Sequence, residues 1–408
     1  MSIDCNPYKA DFPLLVGNPG LAYLDSAATA QRPTCVLDAQ RRFYETMNAN
    51  PLRGLYSLSV AATDAIADAR AHVARFIGAP SADEVVFCRN ASEALNIAAR
   101  CLGDTLLSEG DEVAITVMEH HSNLIPWQQA CRRAGAKLVY LRPDEHGHIT
   151  SAEIAEKVGP RTKVVSCCHV SNVLGSVQPI RELARAAHAN GATFVVDAAQ
   201  SAPHMAIDVS ELGCDLLALS AHKLMGPMGV GVLWGRRDLL DSLPPFLTGG
   251  EMIDSVTETD ATWAPVPEKF EAGTQDAAGI YAFGAALDYL EGVGLDAVEA
   301  RERELVDLLM DGLATLPFVD IVGSPDASDH VGVVSFNVEG IHPHDVASIL
   351  DADHVAIRAG HHCAQPLLTW MGIQSCCRAS VAFYNDANDV DALIRGLAHV
   401  WEVFHGND

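Results

Sequence analysis

The chain has 408 residues, with 53 acidic against 27 basic side chains and a formal net charge of −26. An apolar fraction of 49% and a charged fraction of 20% are typical of a globular protein with a large core and exclude a disordered chain. The acidic balance repels phosphates and argues against nucleic-acid or anionic-membrane binding. No apolar run reaches the ~18 residues that a membrane-spanning helix needs, and the first residues lack the pattern of a secretory signal. Eleven cysteines are too few for a disulfide scaffold at this length, so we expect a cytoplasmic protein.

Short apolar strands alternate with alanine-rich helical stretches between about residues 60 and 290. The pattern predicts strands at 84–88, 111–117, 137–141, 163–168, 193–196, 215–219 and 230–234, and helices at 92–102, 125–134 and 180–189. This alternation predicts an α/β fold with a mainly parallel, helix-covered sheet.

The pattern changes beyond residue 284. It predicts helices at 284–290 and 295–313, an alternating strand at 331–338 and a closing helix at 388–404. We therefore expect a large α/β domain at 20–290, and a smaller α+β domain formed by 1–19 and 291–408. Because ligands of open parallel sheets bind at the carboxyl ends of the strands, residues that follow the strands are the candidates for function.

Two residues that follow predicted strands point to one cofactor. Lys223 lies after the 215–219 strand and before a glycine-containing turn, and Asp197 ends the 193–196 strand. Taken singly, a lysine at a loop edge and an aspartate at a strand end are ordinary surface or turn residues. Together they supply a Schiff-base amine and a carboxylate for a protonated pyridine nitrogen, which is what pyridoxal 5'-phosphate requires.

Three motifs carry a family resemblance. They are Asp197-Ala-Ala-Gln200, Ser220-x-His222-Lys223, and the segment Arg-Ala-Gly-His-His-Cys-Ala at 358–364. With them, the chain resembles the SufS-type cysteine desulfurases nearly from end to end; these belong to the class V aminotransferase branch of the fold-type I pyridoxal phosphate enzymes. The resemblance implies conversion of L-cysteine to L-alanine, with the sulfur held as a persulfide on Cys363 and supplied for iron–sulfur cluster assembly.

The same resemblance implies the residues that hold the cofactor. Lys223 would bind it covalently, Asp197 would pair with the pyridine nitrogen, and Gln200 would bond the ring hydroxyl. His120 would stack on the ring and help to move protons. Further cofactor contacts would come from Ala91, Ser92, Asn172, Ser220, His222 and Thr274. Thr274 would reach the phosphate from the second subunit, which implies a homodimer.

In this resemblance, most residues for substrate binding and sulfur chemistry lie in the C-terminal third of the chain. Arg378 would clamp the substrate carboxylate, because a planar guanidinium suits bidentate recognition, and Asn172 would assist. Arg358 and His362 would complete the substrate site. The cationic surroundings would favour the thiolate of Cys363, which is the competent nucleophile. The sulfur would pass to a SufE- or SufU-type acceptor protein.

Several alternatives stay open at this point. The substrate could be L-selenocysteine, and the enzyme a selenocysteine lyase, a cysteine sulfinate desulfinase or another aminotransferase of the branch. A non-catalytic scaffold or sulfur-carrier partner is the alternative of a different class, and the intact Lys223 argues against it. A metal site at His361, His362 and Cys363 is disfavoured, because consecutive side chains rarely point at one ion. Tyr56 departs from the family pattern, where histidine is usual.

Overall fold

The computed structural model describes residues 6–52 and 54–406. Arg53 and the outermost parts of the predicted small domain, 1–5 and 407–408, lie outside the described residues. The strands are β1 (Ala22–Tyr23), β2 (Val85–Cys88), β3 (Glu112–Thr116), β4 (Lys137–Leu141), β5 (Thr162–Cys168), β6 (Thr193–Asp197), β7 (Leu216–Ser220), β8 (Gly231–Gly235), β9 (Ile253–Val256), β10 (Ala261–Trp263), β11 (Val319–Val322), β12 (Val333–Val338), β13 (Val355–Ala356), β14 (Arg358–Gly360) and β15 (Cys376–Ser380).

The helices cover the faces of the sheets. They are α1 (Pro13–Gly17), α2 (Thr34–Thr46), α3 (Ser57–Phe76), α4 (Ala91–Leu106), α5 (His121–Ala134), α6 (Ser151–Lys157), α7 (Ile180–Ala189), α8 (Val209–Leu212), α9 (Arg237–Ser242), α10 (Ala277–Val293), α11 (Leu295–Ala314), α12 (Pro343–Ala352), α13 (Gln365–Trp370) and α14 (Ala387–His405). Within the described ranges, none of these helices is long and apolar enough to cross a membrane.

A seven-stranded sheet in the order β2-β8-β7-β6-β5-β3-β4 forms the centre of the molecule. Its strands are parallel except β8, which runs antiparallel to both β2 and β7. The predicted α/β fold with a mainly parallel sheet is confirmed. The parallel strands bring their carboxyl ends to one edge, and this is why Asp197 and Lys223 meet there.

The central strands are buried on both faces, as parallel strands covered by helices must be. In β6, the side chains of Phe194 and Val196 enter one hydrophobic cluster, whereas Val195 enters a second cluster on the opposite face. This split follows from the two-residue period of a strand. The continuous apolar run at 194–196 therefore reflects burial on both faces of the sheet.

A four-stranded antiparallel sheet in the order β11-β12-β15-β14 lies beside the large sheet. Helices α11, α12 and α14 cover it and share a third hydrophobic cluster that includes Leu305, Phe336 and Leu393. The short strand β1 pairs with β13, so the N-terminal segment is joined to this smaller unit. The division of the chain at 20–290 and 291–408 stays a prediction.

Gly231 of β8 is packed directly against the residue that precedes α4. A Cβ atom at Gly231 would lie 2.6 Å from the carbonyl carbon of Asn90, a main-chain atom that cannot move away cheaply. We expect Gly231→Ala to lower the free energy of unfolding by about 1–3 kcal/mol, because the extra methyl overpacks a filled space. Urea-induced unfolding followed by circular dichroism measures this change.

Gly159→Ala is the matched control, because nothing lies within 4 Å of a Cβ atom at that position. We expect it to change the free energy of unfolding by less than about 0.5 kcal/mol. Equal effects of the two substitutions would contradict the close approach of β8 to Asn90.

Candidate active site

A cavity of about 300 Å³ opens at the carboxyl edge of the large sheet, between it and the smaller sheet. The predicted site residues that line this cavity are Ala91, Ser92, His120, Asn172, Asp197, Gln200, Ser220, His222, Lys223, Arg358, His362, Cys363 and Arg378. Thr274 is the exception among the predicted residues. The structure thus brings together side chains that lie as much as 287 residues apart in the chain, from Ala91 to Arg378 (378 − 91).

Lys223 lies in a single 3₁₀ turn that follows β7, and Asp197 is the last residue of β6. Burial lowers the pKa of the Lys223 amine to about 8, although the Asp197 carboxylate acts in the opposite direction. Burial likewise raises the pKa of Asp197, while the N–H of Ala199, 2.9 Å from Oδ1, and the Lys223 amine act to lower it. A buried amine with a lowered pKa is suited to covalent chemistry with a carbonyl group.

His120 caps the N-terminus of α5, and its Nδ1 accepts a hydrogen bond of 3.1 Å from the N–H of Ser122. The acceptor role of Nδ1 places the proton of the neutral ring on Nε2. Burial, together with the nearby Lys223 amine, lowers the pKa of His120 to about 3. The imidazole is therefore neutral at physiological pH and can exchange a proton at Nε2.

The N-terminus of α4 forms another wall of the cavity. The side chain of Asn90 caps this helix by accepting from the N–H of Glu93, and the Oγ of Ser220 accepts from the N–H of Ala91 at 2.8 Å. The Oγ atoms of Ser92 and Ser122 lie 2.5 Å apart. Because the N-terminus of a helix carries a partial positive charge, this wall is suited to bind an anion such as a phosphate.

His222 lies on the same side of the cavity as Lys223. Its Nδ1 is 3.3 Å from the Oγ1 of Thr29, and its main-chain carbonyl accepts from the N–H of Ala30 at 3.0 Å. Burial lowers the pKa of His222 to about 4, so the ring is neutral. A neutral imidazole can hold a phosphate oxygen as a hydrogen-bond donor.

Cys363 is exposed at the rim of the cavity, in the loop that joins β14 to α13. His362 and Cys363 both have left-handed backbone conformations, with φ values of 49° and 55°. Such conformations are costly for residues other than glycine and persist where surrounding contacts over-determine them.

Two hydrogen bonds from the large unit hold this loop. The side-chain amide of Asn172 donates to the carbonyl of His362 at 2.6 Å, and the N–H of His121 donates to the carbonyl of Cys363 at 2.6 Å. His362 is itself buried, and its Nε2 lies 2.9 Å from the carbonyl of Cys376. These contacts fix the direction in which the Cys363 thiol leaves the backbone.

Arg378, in β15, is buried at the end of the cavity. Its Nη1 donates to the carbonyl of Asn172 at 2.9 Å, and its Nη2 lies 3.2 Å from the Oδ1 of Asp25. Its Nε has no hydrogen-bond partner within residues 6–52 and 54–406. A buried guanidinium with an unused donor is suited to bind a carboxylate.

Thr274 and Tyr56, the residue that departs from the family pattern, lie away from this cavity. Thr274 is exposed and lines a separate small cavity with Pro51, Leu52 and Glu271. Its predicted contact from a second subunit stays a prediction. Tyr56 is 55% exposed at the start of α3 and does not line the cavity of this chain.

The family assignment follows from comparison with known proteins. The family model "Aminotransferase class-V" matches residues 22–393. The chain belongs to the class-V aminotransferase family. This finding confirms the predicted family.

Individual relatives of this class-V chain agree with that assignment. A protein from Halalkalibacterium halodurans named "Probable cysteine desulfurase" is 46% identical, over 98% of this chain and 99% of the relative. The solved apo structure of the cysteine desulfurase from Thermococcus onnurineus NA1 is 39% identical with a TM-score of 0.93, covering 98% and 99% of the two chains. That of the Escherichia coli cysteine desulfurase CsdA is 35% identical with a TM-score of 0.90, covering 97% and 98%.

Sequence reasoning assigned no role to Glu119, which directly precedes His120. Its carboxylate is buried and accepts hydrogen bonds from the Thr116 hydroxyl at 2.5 Å, the Asn123 amide at 2.5 Å and the Cys168 N–H at 3.1 Å. Burial raises the pKa of Glu119 to about 7, against the effect of these hydrogen bonds. The sequence offers only one sign of this role, an acidic residue just after a predicted strand. Acidic residues in that place are also typical of turns and surface loops.

Glu119 makes stability depend on pH. Its pKa is higher in the folded than in the unfolded protein, so its contribution to stability is complete below an unfolded pKa near 4.5 and is lost as the pH rises towards about 7. Glu119→Gln removes this titration. Between pH 4.5 and 7.5, we expect the free energy of unfolding of the wild type to fall by up to about 3 kcal/mol more than that of the variant.

Urea unfolding of both proteins at several pH values measures this difference. Glu304→Gln is the control, because Glu304 is exposed on the surface of α11. Parallel pH profiles of the wild type and Glu119→Gln would contradict the assignment.

Proposed function

We propose that this protein is a pyridoxal 5'-phosphate-dependent cysteine desulfurase that converts L-cysteine to L-alanine and holds the sulfur as a persulfide on Cys363. The observation that carries the proposal is that Lys223, Arg378 and Cys363 line one cavity. An amine for the cofactor, a guanidinium for the substrate carboxylate and a thiol for the sulfur are thereby placed around one space. At the level of the enzyme class, the prediction is confirmed by full-length relatives at 42–46% identity that are named as cysteine desulfurases.

The residues of the cavity fit pyridoxal 5'-phosphate. The Lys223 amine and the Asp197 carboxylate stand at the ends of neighbouring strands, and the N-terminus of α4 offers a site for the phosphate. The buried Oε1 of Gln200 has no hydrogen-bond partner among the described residues, and it suits the ring hydroxyl as an acceptor. When bound, the cofactor supplies a protonated pyridine ring that withdraws electrons from the α-carbon of an amino acid.

Side chains of this protein would bind the substrate carboxylate and transfer the protons. Arg378 binds and orients the substrate carboxylate through its unused donor, and Asn172 keeps the guanidinium in place. The Lys223 amine, with a pKa of about 8, can accept and return a proton near neutral pH. The neutral His120 is suited to move a proton at Nε2.

The sulfur step belongs to Cys363. Its thiolate attacks the substrate sulfur, an S–S bond forms, and the C–S bond of the substrate breaks. The electron pair of that bond stays on the β-carbon, which takes up the thiol proton of the substrate to become the methyl group of alanine. The two sulfurs are oxidised and the β-carbon is reduced, so no external oxidant is needed. The exposure of Cys363 leaves the outer sulfur open to an acceptor.

The proposal also covers the sulfur acceptor, the second subunit and the cellular location of the enzyme. We place the sulfur in iron–sulfur cluster assembly through a SufE- or SufU-type acceptor, for which the exposed Cys363 is the support. We place a second copy of the chain at the exposed Thr274, which would complete the phosphate site as a homodimer. A cytoplasmic location accords with the ten cysteines of the described ranges, all of which are unpaired.

Cys363→Ala tests the sulfur step. We expect alanine and sulfide formation from L-cysteine to fall by about a thousandfold or more, because the nucleophile is removed while cofactor binding is intact. Cys35→Ala is the control, since Cys35 is also exposed but lies outside the cavity. Undiminished sulfide formation in Cys363→Ala would refute the step.

A comparison of substrates extends this test. L-selenocysteine needs less help from a protein nucleophile, so a selenocysteine lyase would keep its activity on that substrate after Cys363→Ala. A wild type that forms sulfide from L-cysteine, and loses this activity in Cys363→Ala, would support the desulfurase whatever activity on L-selenocysteine remains.

Lys223→Ala tests the cofactor link. We expect borohydride reduction of the cofactor-loaded wild type to attach the cofactor to the peptide that contains residue 223, and expect no attachment in the variant. Mass spectrometry of the digested protein measures this, with the surface variant Lys157→Ala as the control. A label on a different lysine of the wild type would contradict the assignment.

A further inference from the structure

Two arginines face each other at the end of the cavity. Strands β14 and β15 are antiparallel, and their register places Arg358 directly opposite Arg378. Like charges in directly opposed positions of a sheet repel each other. Arg378 is buried and cannot move into water, so this pair needs a compensating charge.

Asp25 supplies that charge. Its Oδ2 lies 2.9 Å from the Nη2 of Arg358, and the Nε of Arg358 is 3.2 Å from both of its oxygens. The Oδ1 of Asp25 also lies 3.2 Å from the Nη2 of Arg378. One carboxylate therefore holds both guanidinium groups.

The backbone around Asp25 is itself anchored to the smaller sheet. Asp25 follows β1 and forms a parallel bridge with Ser380 of β15. The N–H of Leu24 donates to the carbonyl of Ala356 at 2.9 Å, and the N–H of Ser380 donates to the carbonyl of Leu24 at 2.7 Å. The carboxylate is thus held in place relative to both arginines.

The two guanidinium groups differ in which of their hydrogen-bond donors remain without a protein partner. Arg378 has both terminal nitrogens bonded to the protein, to Asn172 and to Asp25, while its Nε is unbonded among the described residues. Arg358 turns its Nε and Nη2 onto Asp25 and is half exposed. Without Asp25, Arg378 would lose one of the two bonds that orient it, next to an unbalanced cation.

We propose that Asp25 is a positioning residue for the substrate carboxylate: it fixes the orientation of Arg378 and balances the charge of Arg358 directly opposite it. This inference rests on the proposed function, in which Arg378 binds an amino-acid carboxylate. Asp25 touches neither substrate nor cofactor in this role and acts through the two arginines.

Equilibrium binding to the cofactor-loaded protein tests the proposal without relying on turnover. Isothermal titration calorimetry with L-alanine reports binding of a carboxylate, and L-alaninamide reports binding of the same amine without it. We expect Asp25→Asn to raise the Kd of L-alanine about tenfold, which equals ~1.4 kcal/mol, and to leave the Kd of L-alaninamide unchanged. An unchanged or lower Kd for L-alanine would overturn the proposal.

A general structural defect would raise the Kd of both ligands equally. That result would also overturn the proposal. Asp238→Asn is the matched control. Asp238 is paired with the guanidinium of Arg236 through both carboxylate oxygens, at 3.1 and 2.7 Å, on the surface and outside the cavity. We expect this variant to bind both ligands as the wild type does.

Asp25→Glu keeps the test decisive if Asp25→Asn does not fold. It retains the charge but moves the carboxylate by one methylene, so we expect a several-fold higher Kd for L-alanine and no change for L-alaninamide. Loss of the proposed function would be seen separately, as a wild type that binds L-alanine but forms none from L-cysteine.

Discussion

The attachment of the Cys363 loop to the large sheet is the constraint on which the rest of the site depends. The donors of Asn172 and His121 meet the carbonyls of two successive residues, His362 and Cys363, whose left-handed conformations cost about 1–3 kcal/mol each in isolation. These bonds offset that cost in part and join the smaller sheet to the edge where the parallel strands end. The thiol consequently reaches a cavity that is built from the other sheet.

The cavity concentrates positive charge, although the protein as a whole is strongly negative. The chain carries a net charge of −26, yet Lys223, Arg358 and Arg378 converge on a small space where Asp197 and Asp25 are the nearby carboxylates. A local cationic region in an acidic protein directs anions to one place. The phosphate and the amino-acid carboxylate of the proposed function are both anions, and this region would attract them.

The local pattern of the sequence predicted most elements of the large sheet to within a few residues. The strand at 137–141 and the helix at 180–189 have the predicted bounds. The predicted helix at 125–134 begins four residues earlier, at His121, and includes Pro126 in its interior. Proline is tolerated in the first turn of a helix, whereas here the buried Pro126 lies beyond the first turn and the helix continues through it.

The helix predicted at 284–290 likewise begins earlier, at Ala277, where the side chain of Asp276 caps it. Its three glycines at 279, 284 and 292 lower the intrinsic helix propensity, and burial against α2 and α3 compensates for them. The strand predicted at 331–338 begins at Val333, because Gly332 has a φ of 62°, outside the extended conformation of a regular strand.

The fold class, the family and the pyridoxal phosphate cofactor were predictable from the amino-acid sequence, because hydrophobic periodicity and short motifs are local properties of the chain. Tertiary structure alone decided that β8 runs antiparallel, that Arg358 stands opposite Arg378, and that Asp25 lies between them. The physical reason is separation along the chain. Asp25 and Arg358 are 333 residues apart, and no local pattern records which carboxylate will neutralise a cation buried by a distant strand.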